Sequence, residues 1–273
     1  MERSLTEGGS TRVALLIAYD GRLFSGWQIQ PLDRTIQGTV EDRLASLLGG
    51  SIRITGAGRT DAGVSAWGQI AHFDLPESVT IPVDRLGRIL NQELPPEVRI
   101  LGSRRVDPGF HARYSALQKI YKYSFRWLPG TLSRHPADNP ISSCLHPPFD
   151  LERARSASRL FVGTHDFRHF SVVSSCPENP TRTISGIFWE KTTEGLSFWI
   201  SGPGFLHRMV RMIGGFLRDV GQGTREEGEL APMLKAGSTK ASFRPVSPLP
   251  PEGLALVRVL YGANDPFDPR SQT

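Results

Sequence analysis

The chain has little cysteine and no long apolar run. Its 273 residues contain only Cys144 and Cys176, and no Cys-x-x-Cys pair occurs. This excludes a disulfide framework and a cysteine-based zinc site, and it is typical of a reducing cytoplasm. No apolar run approaches the roughly 18 residues of a membrane helix, and the start "MERSLTEGGST" is polar. We therefore expect a cytoplasmic protein without a signal peptide or a membrane span.

The sequence also lacks complete motifs for cofactors. Gly56-Ala57-Gly58 follows a predicted strand, but the third glycine of a dinucleotide fingerprint is misplaced, and no P-loop or G-x-S-x-G is present. His165 and His169 stand four residues apart, as metal ligands on a helix do. Without an H-E-x-x-H motif, however, the pattern favours a capped helix end over a metal site. We expect no metal and no nucleotide cofactor.

Lysine is scarce, whereas arginine is abundant. The formal net charge is +5, and only 5 of the 32 basic residues are lysines. Arginine suits bidentate phosphate contacts, so this balance favours an anionic partner. The alternative explanation is the codon preference of a GC-rich genome.

The basic charge is concentrated in residues 99–126. Seven cations and one acid, Asp107, lie there among five aromatic residues. Guanidinium groups with flat rings are typical of RNA-binding surfaces, although a solvated edge strand with core aromatics would look similar. We take four of the cations as candidate RNA-binding residues: Arg104, Arg105, Arg113 and Lys119.

One order of elements occurs twice along the chain. Apolar periodicity and turn residues predict strand, helix, two strands, helix and strand in each half, with long loops at 128–149 and 235–253. In the first half the strands are predicted at 12–20, 51–58, 68–74 and 97–106 and the helices at 35–50 and from 82. In the second half the strands are predicted at 119–127, 181–192, 195–201 and 253–261 and the helices at 150–163 and 205–220.

This order predicts an α+β protein made of two ferredoxin-like βαββαβ halves, at residues 10–107 and 108–263. Two such sheets side by side would form one large, mostly antiparallel sheet. Its helices would cover one face, and an RNA-binding cleft would cross the other.

Asp61 is the acid that most invites a chemical role. It lies in "ITGAGRTDAGVSAWGQIAHFD", a glycine-rich segment with Arg59 two residues away. A loop Asp is usually a turn residue. A nucleophilic carboxylate must stay ionised, however, and an opposite charge within about 4 to 6 Å favours that form. Glycines would also allow a bulky partner to approach the backbone. The pattern therefore indicates covalent chemistry beside a nucleic acid.

Five blocks of the sequence resemble the TruA family of tRNA pseudouridine synthases, in the family's order. They are "YDGRLFSGWQIQ", "GAGRTDAGVSA", "FHARYSALQKIYKY", "GTHDFRHF" and "FLHRMVRMIGGFLRDVGQG". The resemblance implies that uridines at positions 38, 39 and 40 of the tRNA anticodon stem-loop become pseudouridine. It also implies that no cofactor takes part and that a homodimer binds the anticodon stem-loop and elbow of tRNA.

The resemblance also implies roles for single residues. Asp61 would be the nucleophile, and Arg59 would help to hold the target nucleotide flipped out. Tyr121 would stack on the uracil, Arg211 would pair with the catalytic Asp, and Leu254 would pack near the base. From the helix pattern alone, Arg211 could instead be solvated. Whether Asp61 attacks the ring or the ribose is left open.

Two departures from the family pattern stand near these residues. Ser65 replaces the usual His of "GRTDxGVHA", and "SPLPPEGL", which ends at Leu254, replaces "TAPxxGL". Two other functions fit the sequence less well. An RNA-binding module without activity would need an RNP1-like run, which is missing. A glycosidase-like hydrolase would need a second carboxylate, and Asp61 stands alone between Ile54 and Ala71.

Overall fold

The computed structural model describes residues 11–127, 143–145, 148–193, 195–238 and 243–268. The chain divides into two compact units. The first contains Met1–Ala62, Ala66–Ala116 and Val259–Thr273, and the second contains Gly63–Ser65 and Leu117–Arg258. The predicted loop at 128–149 lies mostly outside the described residues, as does part of the loop at 235–253.

Within the described residues, the first unit contains four strands and two α-helices. Its strand order is β4-β1-β3-β2, and all three pairings are antiparallel. The elements are β1 (Thr11–Tyr19), α1 (Ile36–Leu48), β2 (Thr55–Gly56), β3 (Ser65–Leu75), α2 (Val83–Leu90) and β4 (Val98–Arg105).

Helix α1 begins and ends where its sequence predicts. The Thr35 hydroxyl accepts a hydrogen bond from the Gly38 N–H at 3.2 Å, and Gly49 ends the helix at φ +76°. Three apolar residues of α1 are fully buried, and so are alternate residues of β1: Ile36, Val40, Leu44, Val13, Leu15 and Ile17. The 3.6-residue and 2-residue periods of these elements thus build the core of this unit.

Strand β2 is much shorter than the predicted strand at 51–58. The cause is a pair of buried polar side chains on α1, Gln37 and Glu41. The Ile54 N–H donates to Glu41 Oε1 at 2.9 Å, and the Ile54 carbonyl accepts from Gln37 Nε2 at 3.1 Å. Because helix side chains satisfy this backbone, strand pairing begins only at Thr55.

The second unit contains the remaining elements. Its strands are arranged in the order β11-β5-β10-β9, β6 pairs in parallel with β5, and β7 pairs with β8 apart from them. The elements are β5 (Gln118–Trp127), β6 (Ser143–Leu145), α3 (Leu151–Leu160), β7 (Gly163–Asp166), β8 (Thr181–Ile184), β9 (Gly186–Lys191), β10 (Gly195–Gly202), α4 (Met209–Gly221), α5 (Leu230–Met233) and β11 (Leu254–Leu260).

Three predicted elements differ in this unit. The strand at 181–192 is two strands separated at Ser185, whose N–H bonds the Ser201 carbonyl. The segment with His165 is strand β7 followed by a single 3-10 turn, so the predicted capped helix end is wrong. Helix α4 starts at Met209 and not at Phe205, because Arg208 is left-handed at φ +59°.

The predicted α+β class and the mostly antiparallel strand pairing are confirmed. The ferredoxin-like character of the halves, the cleft and the boundaries at 107 and 108 stay predictions. Within the described residues no group of His, Cys, Asp or Glu side chains could hold a metal ion. In the same part of the chain, no helix has both the length and the apolar character that a bilayer crossing requires.

A buried histidine in the first unit must stay neutral. His72 Nδ1 accepts a hydrogen bond from the Ala112 N–H at 3.2 Å, and the His111 ring lies 4.7 Å away. Burial, together with electrostatic coupling to His111 and the positive charge of Arg12, lowers the pKa of His72 to about 4, while Asp74 opposes the shift. Protonation at Nδ1 would also remove the acceptor for Ala112.

The first prediction concerns stability in acid. The unfolded chain binds a proton at His72 near pH 6.5, whereas the folded chain resists it down to about pH 4. Stability from this group is therefore complete above pH 6.5 and is lost as the pH falls to 4, by an amount on the order of 2 kcal/mol. Urea unfolding between pH 7.5 and 4.5 measures the slope of the free energy of unfolding against pH. His72→Gln should flatten it, and the exposed His207→Gln should not; equal slopes in all three proteins would contradict the assignment.

Candidate functional site

The segment Gly56–Thr60, which leads to Asp61, is held by the first unit. The Ala57 N–H donates to the Ile70 carbonyl at 2.7 Å, and Gln69 Nε2 donates to the Gly58 carbonyl at 2.7 Å. Gln69 is fully buried, so this side chain anchors the backbone from inside the unit. The shape of the loop therefore depends on these hydrogen bonds as well as on its glycines.

Thr60 is bound on both its backbone and its side chain. Its carbonyl accepts from the Trp27 N–H at 3.1 Å, and its hydroxyl lies 2.8 Å from the Tyr19 hydroxyl in a buried hydrogen bond. Burial raises the pKa of Tyr19 to about 12, so the phenol stays protonated and keeps its proton for this bond. The residue before Asp61 is thus fixed by two different segments.

Two glycines allow this close approach. An added Cβ at Gly26 would lie 2.7 Å from the Thr60 carbonyl oxygen and 3.1 Å from the Asp61 carbonyl carbon. Gly26 also has φ +89°, which favours glycine. At Gly56 the same atom would lie 2.7 Å from the Trp27 ring. The residues "SGW" therefore form a rigid support under Asp61.

Asp61 and Arg59 differ in exposure. The Asp61 side chain is half-buried, whereas Arg59 is exposed and has no carboxylate partner within the described residues. The chain turns after Asp61 at Gly63, which has φ +81°. Gly63 and its neighbour Pro251 both belong to the second unit. Ser65, where the family usually has His, is buried at the start of β3.

The second unit places Tyr121 and Leu254 on adjacent strands, β5 and β11. Both side chains are buried, and the Tyr121 ring packs edge-on against Phe205 with centroids 5.2 Å apart. Lys119 lies half-exposed near the start of β5.

Arg211 lies in the first turn of α4 and is not the solvated residue that the helix pattern allowed. Its side chain is only 8% exposed, and Nε donates to the Leu249 carbonyl at 2.7 Å. The Leu249 N–H in turn donates to the Arg211 carbonyl at 3.0 Å. Leu249 belongs to an extended segment, residues 244–250, which we call the strap.

The strap packs directly on the backbone of α4. An added Cβ at Gly215 would lie 2.0 Å from the Ser247 carbonyl oxygen, and one at Gly214 would lie 2.4 Å from the Leu249 side chain. At the far end of the strap, the Pro250 carbonyl accepts from the Tyr123 hydroxyl at 2.8 Å. The strap therefore fixes the carbonyl that orients Arg211 and leads into Leu254.

A second arginine fixes the other end of the strap. Arg225 is fully buried, and its Nη2 donates to the Arg244 carbonyl at 3.1 Å and the Pro245 carbonyl at 3.0 Å. Its Nη1 lies 3.2 Å from Glu229 Oε2, and the guanidinium carbon lies 5.1 Å from the Phe216 ring centre. Burial lowers the pKa of Arg225 from its ordinary value, which the carboxylate opposes.

The other candidate RNA-binding residues lie on the first unit's surface. Arg104 and Arg105 are exposed on β4, and Arg113 is exposed on the turn before β5. The first unit thus carries Asp61 and Arg59 with three of these cations. The second carries Lys119, Tyr121, Arg211 and Leu254.

Sequence reasoning missed the supporting residues. Gly26 and Gln69 contact the segment that carries Asp61, and Gly215 and Arg225 contact the strap that orients Arg211, but the sequence assigns a role to none of these four residues. The motif "YDGRLFSGWQIQ" contained a signal for Gly26 but showed no partner for it. Nothing in the sequence pairs Arg225 with the strap.

The second prediction concerns Gly26→Ala. The added methyl group strains a positive φ and meets the Thr60 carbonyl, whereas Gly49→Ala strains a φ of +76° and meets nothing within 4 Å. Gly26→Ala should therefore lower the free energy of unfolding by about 1 to 3 kcal/mol more than Gly49→Ala. Urea unfolding measures the difference, and amide exchange should rise around Thr60 only in Gly26→Ala. Equal effects of the two changes would contradict the proposed support.

The third prediction concerns Gly215→Ala. Ala is the better helix former by about 1 kcal/mol, but its methyl group would meet the Ser247 carbonyl at 2.0 Å. The steric overlap should outweigh the gain in helix propensity and destabilise the protein by about 1 to 3 kcal/mol. Gly228→Ala, which meets nothing within 4 Å, is the matched control and should be near neutral. Thermal unfolding of both variants checks this, and a stable Gly215→Ala would show that the strap moves freely.

The chain is similar to known proteins along most of its length. Residues 157–262 match the family model described as tRNA pseudouridine synthase. The tRNA pseudouridine synthase A of Bacillus velezensis is 39% identical over 255 residues, which cover 92% of this chain and 99% of that protein. The proteins of the same name from Bacillus subtilis and Akkermansia muciniphila are 39% and 38% identical, over 92% of this chain and 99% and 95% of theirs. The chain therefore belongs to the tRNA pseudouridine synthase A family.

Proposed function

We propose that the chain converts uridines 38, 39 and 40 of the tRNA anticodon stem-loop to pseudouridine, with Asp61 as the nucleophile. Its family consists of isomerases that act on tRNA. The observation that carries the proposal is the fixed approach to Asp61, where Trp27, Tyr19 and Gln69 hold the backbone before any ligand binds. Preorganisation of this kind is what covalent chemistry at a positioned carbon needs.

The reaction is an isomerisation, in which C5 of the uracil loses one hydrogen to solvent and N1 gains one. The Asp61 carboxylate forms a covalent bond either to the uracil ring or to the ribose carbon, and the glycosidic bond breaks. The uracil turns over and its C5 bonds to the ribose. The C5 proton then leaves to solvent, N1 takes up one proton from solvent, and the carboxylate is released. No oxidant, reductant or cofactor is required for this balance.

The remaining residues would hold the base. The target uridine must leave the helix stack, which costs a few kcal/mol, and stacking on Tyr121 offsets about 1 to 3 kcal/mol of it. Leu254 would pack near the base, and Arg59, which is exposed, would hold the extruded nucleotide. Arg211, oriented by the Leu249 carbonyl, would pair with the Asp61 carboxylate.

The RNA-binding surface of the proposal includes the exposed cations of the first unit, Arg104, Arg105 and Arg113, together with Lys119. They contact phosphates in this proposal and carry no sequence information themselves. A homodimer that binds the anticodon stem-loop and elbow, ferredoxin-like halves and a cytoplasmic location belong to the same proposal.

The fourth prediction tests the reaction. Transcribed tRNA labelled with tritium at C5 of uridine should release tritium with the parent protein, and release should stop when the anticodon-stem uridines are replaced by cytidine. Asp61→Asn should reduce release by at least about 1000-fold while tRNA affinity changes only a few fold. Asp42→Asn, at an exposed position of α1, is the matched control and should keep full activity.

Three outcomes would contradict the proposal in different ways. Tight tRNA binding without release would favour a binding module. Free uracil in the mixture would indicate hydrolysis, because an isomerase returns the base to the same ribose. Appreciable release by Asp61→Asn would move the nucleophile elsewhere.

A further inference from the structure

The turn at residues 110–115 is unusually well fixed by its own side chains. His111 and Ser115 bond each other twice, from the Ser115 N–H to the His111 carbonyl at 2.9 Å and from the His111 N–H to the Ser115 hydroxyl at 3.0 Å. His111 Nδ1 accepts from the N–H groups of Arg113 and Tyr114 at 3.1 and 3.2 Å. The backbone under Tyr114 is therefore set by a neutral imidazole.

The same turn is also bound to the body of the first unit. The Tyr261 hydroxyl donates to the Ala112 carbonyl at 2.7 Å, and the Ala112 N–H donates to His72. The Arg12 guanidinium donates to the Phe110 carbonyl at 3.1 Å. A side chain on this turn is thus presented from a rigid base.

Tyr114 is the side chain that the turn presents. It is 76% exposed, although its ring lies 4.3 Å from His111 at an angle of 32° and the Arg113 guanidinium lies 5.5 Å from its centre. The turn leaves most of Tyr114 exposed to solvent, with His111 and Arg113 as its neighbours.

The surroundings of the ring are positive. Arg12 and Arg113 both act on His111 and, with burial, lower its pKa, so the imidazole stays neutral and keeps its acceptor at Nδ1. Asp74 is paired with Arg12, which leaves Arg113 as the net charge beside Tyr114. A flat ring can stack on a nucleobase while a neighbouring guanidinium binds the phosphate of the same nucleotide.

We propose that Tyr114, backed by His111 and flanked by Arg113, is a stacking site for an unpaired base of the tRNA, separate from the uridine that reacts at Asp61. It rests on the proposed function, because it assumes a tRNA substrate. A base stacks on Tyr114, Arg113 contacts the adjoining phosphate, and the site adds affinity without taking part in the chemistry.

The fifth prediction is measured by binding of a transcribed tRNA to the full chain. Tyr114→Ala should weaken affinity about fivefold or more, the range expected when one base–aromatic stack is lost. Tyr114→Phe keeps the ring and should bind like the parent. Leu117→Ala, which removes another exposed apolar side chain nearby, is the matched control and should also bind like the parent.

Salt dependence separates stacking from charge. The slope of log affinity against log salt should be unchanged in Tyr114→Ala, whereas Arg113→Gln should reduce it by about one unit. The unfolding midpoint of Tyr114→Ala should match the parent, because the ring is mostly exposed.

The outcomes distinguish this proposal from the proposed function. If the parent releases tritium and Tyr114→Ala binds tRNA normally, the stacking site is wrong and the enzyme assignment stands. If Tyr114→Phe is as weak as Tyr114→Ala, the hydroxyl and not the ring makes the contact, and the proposal fails. A change of oligomeric mass in Tyr114→Ala by light scattering would assign the ring to self-association instead. If the parent releases no tritium, the proposed function itself fails.

Discussion

The approach of the "SGW" backbone to the Asp61 loop is the constraint on which the first unit's site depends. Gly26 lies so close to Thr60 that no side chain fits between them, and the Trp27 N–H completes the contact. Tyr19 and Gln69 then supply hydrogen-bond partners for two other polar groups of the segment, the Thr60 hydroxyl and the Gly58 carbonyl. Because these hydrogen bonds hold the backbone at Gly58 and both the backbone and the side chain of Thr60, the loop can present a carboxylate without help from a ligand.

The second unit solves a similar problem with small residues and a buried charge. Gly214 and Gly215 let the strap lie on α4, so that the Leu249 carbonyl reaches Arg211. Arg225 fixes the opposite end through two strap carbonyls. Both units therefore position a charged side chain by bringing two stretches of backbone into contact, which requires glycine on at least one side.

The local part of this arrangement was predictable from sequence, and the long-range part was not. The bounds of α1 follow from short-range rules, because a Thr cap and a glycine end lie at the two ends of the predicted helix 35–50, and the structure has the helix there. The predicted strand at 51–58 failed because Gln37 and Glu41 act through tertiary contacts that no local propensity contains. Asp61 and Arg211 could be named from motifs, whereas Arg225 acts on a segment distant in sequence, and only the fold brings them together.

The choice of arginine at position 225 has a consequence for how the strap behaves. A buried guanidinium loses its hydration, and the attraction to Glu229 repays this only when the surrounding geometry is good. Such a residue is therefore expected to add little stability and to select one register of the segment that it binds. A strap shifted by one residue would turn the Arg244 and Pro245 carbonyls away and leave a buried charge without its acceptors. The cost of that state favours a single register, and the same register places the Leu249 carbonyl on Arg211 and Pro250 on Tyr123. A residue far from Asp61 in the sequence thus sets the orientation of the arginine proposed to pair with it.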